Sequence, residues 1–409
     1  MTASSNTTHS LNTTHLSNTA ISSSVTTSPD TVIPSGVITS PDAKANIAKD
    51  KLSYIDALRG IACLSILVYH FSDMLYSANV DVPSMLDPFF RFAGYAVPLF
   101  FIVSSFTLYL SLEAKKDEKN RFIKFYIRRL FRIAPLFYAV LVFFLIRMVI
   151  ALHSPPSAPA VLTNILFVFN LFPSYFESII PTGWTVGVEM LFYLWLPLIF
   201  ISVSSLRRSL AFVLVAILIS HLTNLLLPEI FVGQYATFNF FSQLPVFAIG
   251  VVCYFIYKYY IPKIQSSYRV PVSLLLLLTS FALFYSLATY LLYYIPSEIF
   301  FSLSLPSWQA VGFSFLLLSL SLFSNGLIVN RVTRFFGKIS YSIYLVHPLL
   351  IQSLIPVYGY VGHSSLPIMV SIGLCLLLSI LITTPIAMLT YRYIESPGMR
   401  YGKKVASRL

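Results

Sequence analysis

Tyr54–Phe71 reads YIDALRGIACLSILVYHF, a run apolar enough to cross a bilayer that nonetheless carries Asp56, Arg59 and His70. Ionisable groups are expensive in hydrocarbon, so inside a spanning segment they mark a functional site. At about 100° per residue, the eleven steps from Arg59 to His70 make three turns plus roughly 20°. Both side chains therefore share one helix face, about 16 Å apart along the axis. Asp56 lies on the same stripe, one turn earlier. A cation near one membrane surface and an imidazole near the other, on a common face, read as a path for a reaction.

Outward from this stretch the composition is that of a membrane protein. Of 409 residues, 57% are hydrophobic and 10% charged, with a mean hydropathy of +0.79. Soluble chains carry about 25% charged residues. The formal net charge of +12 is distributed as membrane topology requires, with an anionic ligand on one side, and does not call for a nucleic-acid partner. Cys63, Cys253 and Cys375 sit in apolar runs and are expected as buried small hydrophobes without disulfides. His and acidic residues do not recur at ligand spacings, so no metal is expected. Residues 1–43 are rich in Ser, Thr and Asn and hold no Lys or Arg. With no basic segment ahead of an apolar core, this is read as a disordered tail and not a signal peptide. The tail is taken to residue 50, the membrane domain as 51–400, and a basic tail as 401–409.

Ten runs are long enough to span, near 53–73, 94–112, 133–151, 187–205, 209–227, 241–260, 271–293, 307–325, 338–356 and 366–390. Period-2 alternation is absent, so the spans are helices: an all-α, polytopic membrane protein. Placing both termini in the cytoplasm puts the clusters from Lys115 to Arg132, Arg207–Arg208, Lys258–Arg269, Arg331–Lys338 and the C-terminal tail inside. Of 27 basic residues, only Arg91 and Arg147 then fall outside or deep in the membrane. Val161–Phe172 is apolar but short. If it crossed, every later loop would flip, so it is expected as a re-entrant or interfacial segment.

Further patterns accompany the opening stretch: GYAVPLFFIVSSFTLYLS (94–111), FIKFYIRRLFRIAPLFY (122–138), GWTVGVEMLFYLWLPLI (183–199), FFGKISYSIYLVHPLLI (335–351) and YRYIESPGMR (391–400). In that order they resemble the membrane acyltransferase 3 family, over residues 53–400. The resemblance implies a membrane enzyme that moves an acyl group from cytoplasmic acyl-CoA to a carbohydrate hydroxyl. It implies a catalytic His70 spaced from Arg59, an Arg-x-x-Arg motif at Arg129 and Arg132, and Ser104 in the donor site. One position departs: Ser105 stands where the family has the Gly of Phe-Phe-x-x-Ser-Gly-Phe, which bears on the pocket's shape there.

The residues themselves agree with that chemistry. Acyl transfer from a thioester to an alcohol needs a base near neutral pKa, a donor for the developing oxyanion and a cationic grip on CoA. Imidazole suits the first role, and His70 lies at the outer end of the first span. Arg59 has two compatible readings, an anchor paired to Asp56 and a contact to CoA. Lys124, Arg128 and Arg132 recur every four residues, with Arg129 beside them; they read as topology anchors or as a grip on the CoA phosphates, for which Arg gives bidentate contacts. Glu189, expected at the depth of His70, could orient the imidazole, as could Asp56, or Glu189 could bind acceptor hydroxyls with Trp184 stacking on a sugar. His347 reads as a packing histidine or a substrate contact, with Ser340, Tyr341 and Tyr344 as cavity residues. Glu395 reads as a structural partner of Arg392 or another basic residue.

The expected function is therefore an O-acyltransferase of the cell membrane. Acetyl-CoA or a related acyl-CoA is the donor, a carbohydrate or glycolipid the acceptor, and lipid the surroundings, with homo-oligomerisation left open. The rival reading is a transporter or flippase of lipid-linked sugars or other polar metabolites, which would bind no acyl-CoA.

Overall fold

The computed structural model describes residues 52–227, 234–286 and 305–409, and among these no strand occurs. The tail expected over 1–50 lies outside the described residues, as does the end of the seventh expected span beyond Ser286. In chain order the helices are α1 (Ser53–Ser77), α2 (Asp87–Gly94), α3 (Val97–Glu113), α4 (Arg121–Ile150), α5 (Ala158–Ile165), α6 (Trp184–Ser202) and α7 (Leu206–Leu226). There follow α8 (Gln234–Phe238), α9 (Phe240–Tyr259), α10 (Ser266–Ser286), α11 (Leu305–Leu322), α12 (Arg331–Lys338), α13 (Ser340–Ser353), α14 (Ile355–Gly362), α15 (Ile368–Thr390) and α16 (Ser396–Ala406). A π-helical turn, Tyr391–Glu395, joins α15 to α16.

Among the described residues, nine helical segments are long and apolar enough to span, and the pair α13–α14, bent by 55°, makes a tenth. The protein is thus an all-α, multi-pass membrane protein. Its outer faces agree. Leu210, Leu214, Leu218, Leu225 and Leu226 on α7 are exposed; such a patch would be a liability in water and is the ordinary lipid face of a span. The segment expected to be re-entrant forms only the eight-residue α5 and the short 3₁₀ turn Phe169–Leu171, well below spanning length.

The largest difference from expectation is at the third span. Hydropathy placed its start near residue 133, but α4 runs unbroken for 30 residues from Arg121. That length is about 45 Å, against a hydrocarbon core of about 30 Å. The arginines that depress the hydropathy window, Arg121, Arg128, Arg129 and Arg132, are inside the helix and line cavities. Asn120, in the left-handed region at φ 56°, turns the chain into α4, a conformation Asn tolerates better than most residues.

Two contacts fix α1, which carries Arg59 and His70. Gly60 and Gly337 let α1 and α12 meet backbone to backbone, and a Cβ on Gly60 would lie 2.8 Å from the Gly337 nitrogen. Small residues permit such close crossings in membranes. The first turn of α12 is held by a capping box, Asn330 accepting from the Thr333 amide at 3.0 Å while Thr333 Oγ1 accepts from the Asn330 amide at 3.1 Å. Further along α1, Phe71 stacks edge-on against Tyr358 of α14.

Candidate active site

Eight residues expected from sequence meet around one cavity: Arg59 of α1, Ser104 of α3, Arg129 and Arg132 of α4, Glu189 of α6, and Ser340, Tyr341 and Tyr344 of α13. Phe100, Phe101, Thr185 and Tyr193 help line it, and about 690 Å³ there is free of protein atoms. Arg59 is held from two sides. Its guanidinium lies 3.5 Å from Asp56 Oδ1 and donates to Thr107 Oγ1 at 3.2 Å, so Asp56 acts on Arg59 and not on His70. Glu189 accepts hydrogen bonds from Ser104 Oγ and Tyr193 Oη, both at 2.5 Å. Its depth puts it with Arg59 and Arg129, because it lies more than a turn inside α6. The carboxylate beside His70 is a different one.

A second cavity, of about 630 Å³, shares Arg129 and Arg132 with the first and adds Lys115, Arg121, Arg128 and Lys403. Six cations thus line a space that borders the inner cavity at two shared arginines. They are not equivalent. Arg128 is committed to Glu118, donating to both carboxylate oxygens at 2.9 Å, with Lys124 also 3.5 Å from that carboxylate. Arg132 forms no ion pair or hydrogen bond among the described residues, and Arg129 lies over the rings of Phe125 and Tyr193. Burial, and then the charge of Arg128, lower the pKa of Lys115 from its ordinary value. Glu118 is held below the usual carboxylate range: its burial raises it, but hydrogen bonds from Arg128 and the surrounding cations outweigh this. Unlike Lys124 and Arg128, the family-matched pair Arg129 and Arg132 forms no ion pair with a carboxylate among the described residues.

At the other end of α1, His70 Nδ1 lies 3.5 Å from Asp73 Oδ2, one turn on. Its ring centroid is 5.1 Å from that of Tyr69 and 5.4 Å from that of His347. His347 in turn is 5.8 Å from Tyr344, which lines the inner cavity. Asp73 also lines a third, largely polar cavity of about 720 Å³ with Tyr69, Ser72, Tyr76, Asp87, Phe90 and Arg91. Tyr76 Oη donates to Asp87 Oδ1 at 2.7 Å, fixing one wall. His70 itself lines neither cavity: its ring neighbours His347, which neighbours Tyr344 of the inner one, and its other neighbours Asp73 and Tyr69 belong to the polar one.

The remaining expectations fall out variously. Trp184 stacks on Phe238 at 4.4 Å, so that ring face is occupied by protein. Tyr341 Oη donates to the Ile133 carbonyl at 2.8 Å. Glu395 is buried and accepts from Ser342 at 2.7 Å, not from Arg392. Ser105 is fully buried and does not line the inner cavity. Its hydroxyl donates back to the Phe101 and Ile102 carbonyls at 3.1 and 3.2 Å, and Gly250 of α9 leaves the space it needs. The departure from the family pattern is absorbed at a helix contact. Sequence reasoning missed Thr107, Tyr193, Asp73 and the Tyr69–Arg91 cavity. Asp73 was findable, since it stands three residues after His70 on the same helix. No group of three or more His, Cys, Asp or Glu arranged to hold a metal occurs among the described residues.

Comparison with known proteins gives the same direction. A sequence model of the acyltransferase 3 family, described as "Acyltransferase domain", matches residues 52–388. A provisionally named acetyltransferase of Acidianus two-tailed virus is 27% identical over 75% of this chain and 84% of its own length. A provisionally named O-acetyltransferase of Staphylococcus aureus strain COL is 26% identical over 87% of this chain, and its MSSA476 counterpart 25% over 86%. The chain spans 59% and 58% of the lengths of those two staphylococcal proteins. No solved structure matches. With a family match covering most of its length and ten candidate spans to carry it, the chain belongs to the acyltransferase 3 family.

Proposed function

We propose that this protein is an O-acetyltransferase of the cell membrane that takes the acyl group of cytoplasmic acyl-CoA, most simply acetyl-CoA, and passes it to a carbohydrate hydroxyl on the other side. The observation that carries the reading is the pair of adjoining cavities sharing Arg129 and Arg132. The six-cation cavity suits the CoA phosphates, for which guanidinium forks give charge-assisted bidentate contacts. The inner cavity, less basic and lined by Arg59, Ser104 and aromatic rings, suits the pantetheine arm. The positive-inside pattern puts the basic end in the cytoplasm, where CoA is found.

In the reaction, the hydroxyl oxygen of the acceptor attacks the thioester carbonyl carbon. The new C–O bond forms as the C–S bond breaks, and the hydroxyl proton passes to His70 and then to the departing sulfur. Asp73 is placed to hold His70 Nδ1–H and to favour the imidazolium, the role the sequence reading gave to Glu189 or Asp56. The polar Tyr69–Arg91 cavity, with carboxylates, hydroxyls and aromatic rings, suits a polyhydroxylated acceptor. Calorimetric titration of the purified protein with CoA tests the donor assignment. Replacing Arg129 and Arg132 by Ala should weaken binding at least tenfold, by about 1.5–3 kcal/mol for each charge-assisted hydrogen bond removed. Unchanged CoA affinity, or no CoA binding by the unaltered protein, would overturn it and favour a carrier of polar metabolites.

A further inference from the structure

His347 sits in α13 with only 1% of its surface exposed. Its Nδ1 lies 3.1 Å from the Ile343 carbonyl. A carbonyl oxygen can only accept, so Nδ1 carries the proton and Nε2 is left as a bare acceptor. That Nε2 is buried and has no hydrogen-bond partner among the described residues. A histidine that merely fills space pairs both nitrogens or gives way to an apolar side chain, because a buried acceptor without a donor costs stability. The following Pro348 adds to the local cost by withholding an N–H from the Tyr344 carbonyl. What faces this ring is His70, 5.4 Å away between centroids and tilted by 36°.

We infer that His347 is a positioning residue for the transfer step: its free Nε2 accepts a hydrogen bond from the N–H that forms on His70 when His70 takes the acceptor's proton. The inference rests on the reading of His70 as base. In the resting protein, His70 Nδ1 lies 3.5 Å from Asp73 Oδ2; with the ring proton on Nδ1, the other nitrogen offers a lone pair to the incoming hydroxyl. His347 offers a lone pair as well, so the two rings have nothing to exchange. Once the hydroxyl proton has moved, His70 has two N–H groups, one for Asp73 and one to be shared with His347. An interaction that exists only after proton transfer lowers the barrier without tightening either substrate. His347 gains no net proton; the proton goes from His70 to the CoA sulfur as before.

The test uses the full-length protein in lipid nanodiscs with acetyl-CoA as donor and water as acceptor, reading free thiol release. His347→Leu should lower kcat roughly 10- to 100-fold, the range for removing a charge-assisted hydrogen bond, with the KM for acetyl-CoA unchanged. Its melting temperature should equal or exceed that of the parent, since a buried unpaired acceptor has gone. His347→Gln, which retains an acceptor, should recover most of the missing rate. A Leu variant with full kcat, a rate decrease matched by a fall in melting temperature, a failure to insert, or a Gln variant no better than Leu would each overturn the inference. His70→Ala in the same assay separates the two layers. If it retains full activity the base assignment itself fails, whereas if it is inactive and the Leu variant is not, only the role of His347 falls.

Discussion

Gly60→Ala is the change whose sign the packing decides. In an open helix it stabilises by about 1 kcal/mol, since Gly loses more backbone freedom on ordering. Here a Cβ on Gly60 would lie 2.8 Å from the Gly337 nitrogen and 3.0 Å from the Thr333 carbonyl carbon, and closer still to the Thr333 oxygen. Non-bonded carbon contacts settle at roughly 3.5–4.0 Å, so α1 and α12 must part by roughly 1 Å or more, the Thr333 oxygen demanding the most. All the opposing atoms are backbone, and no side-chain rotation relieves them. Overpacking of this kind costs about 1–3 kcal/mol, which exceeds the propensity gain. Gly60 adjoins Arg59, and a displacement of about 1 Å in a substrate-positioning group costs on the order of 100-fold in rate. The variant should therefore melt a few degrees lower and fall by about two orders of magnitude in kcat/KM for acetyl-CoA. Gly373→Ala is the control: nothing lies within 4 Å of a Cβ there, so its activity should be unchanged and its melting temperature equal or higher. A Gly60→Ala protein that is as active as its parent and more stable would refute the claim that this crossing places Arg59.

Other expectations follow from single side chains. Arg132→Ala should raise the KM for acetyl-CoA about 10- to 100-fold, whereas Arg128→Ala, whose charge is already paired with Glu118, should raise it less; equal effects in steady-state kinetics would contradict the distinction. The depressed pKa of Glu118 makes its contribution complete above the ordinary carboxylate value of about 4.3, and that contribution disappears as pH falls through the lower folded value. Thermal melts should accordingly show the parent above Glu118→Gln at pH 6 and the two converging in acid; a gap independent of pH would count against the ion pair. Gly250→Ala should destabilise by about 1–3 kcal/mol, and adding Ser105→Gly should recover part of that stability. An additive pair in a double-mutant cycle would mean the two positions do not share their space.

Much of the architecture was legible because lipid imposes simple rules. Each candidate span among the described residues was marked by an apolar run, and Val161–Phe172 was recognisable as too short. Arg59, Ser104, the pair Arg129 and Arg132, Glu189 and Tyr341, read from separate motifs, line one cavity. What stayed hidden depends on side-chain partners that periodicity does not encode. The apolar run near 133–151 marks only the later part of α4, because hydropathy treats a cavity-facing arginine like a solvated one. Glu189 was assigned to His70 on depth alone, when the nearer carboxylate was Asp73 in the same helix. His347 read as a packing residue or a substrate contact, because nothing in SYSIYLVHP shows that one of its nitrogens is left without a partner. Gly250, the residue that makes room for Ser105, lies several helices further along the chain and carries no motif.

The central claim is that an acyl group supplied at the basic end reaches an acceptor at the opposite end by way of His70. Proteoliposomes carrying the protein in one orientation, given acetyl-labelled acetyl-CoA on the basic side and a carbohydrate acceptor pool on the other, measure this directly. The account predicts label on the acceptor with the parent protein and none with His70→Ala, while both bind CoA equally. Transfer at the parent rate by the His70→Ala protein would contradict it.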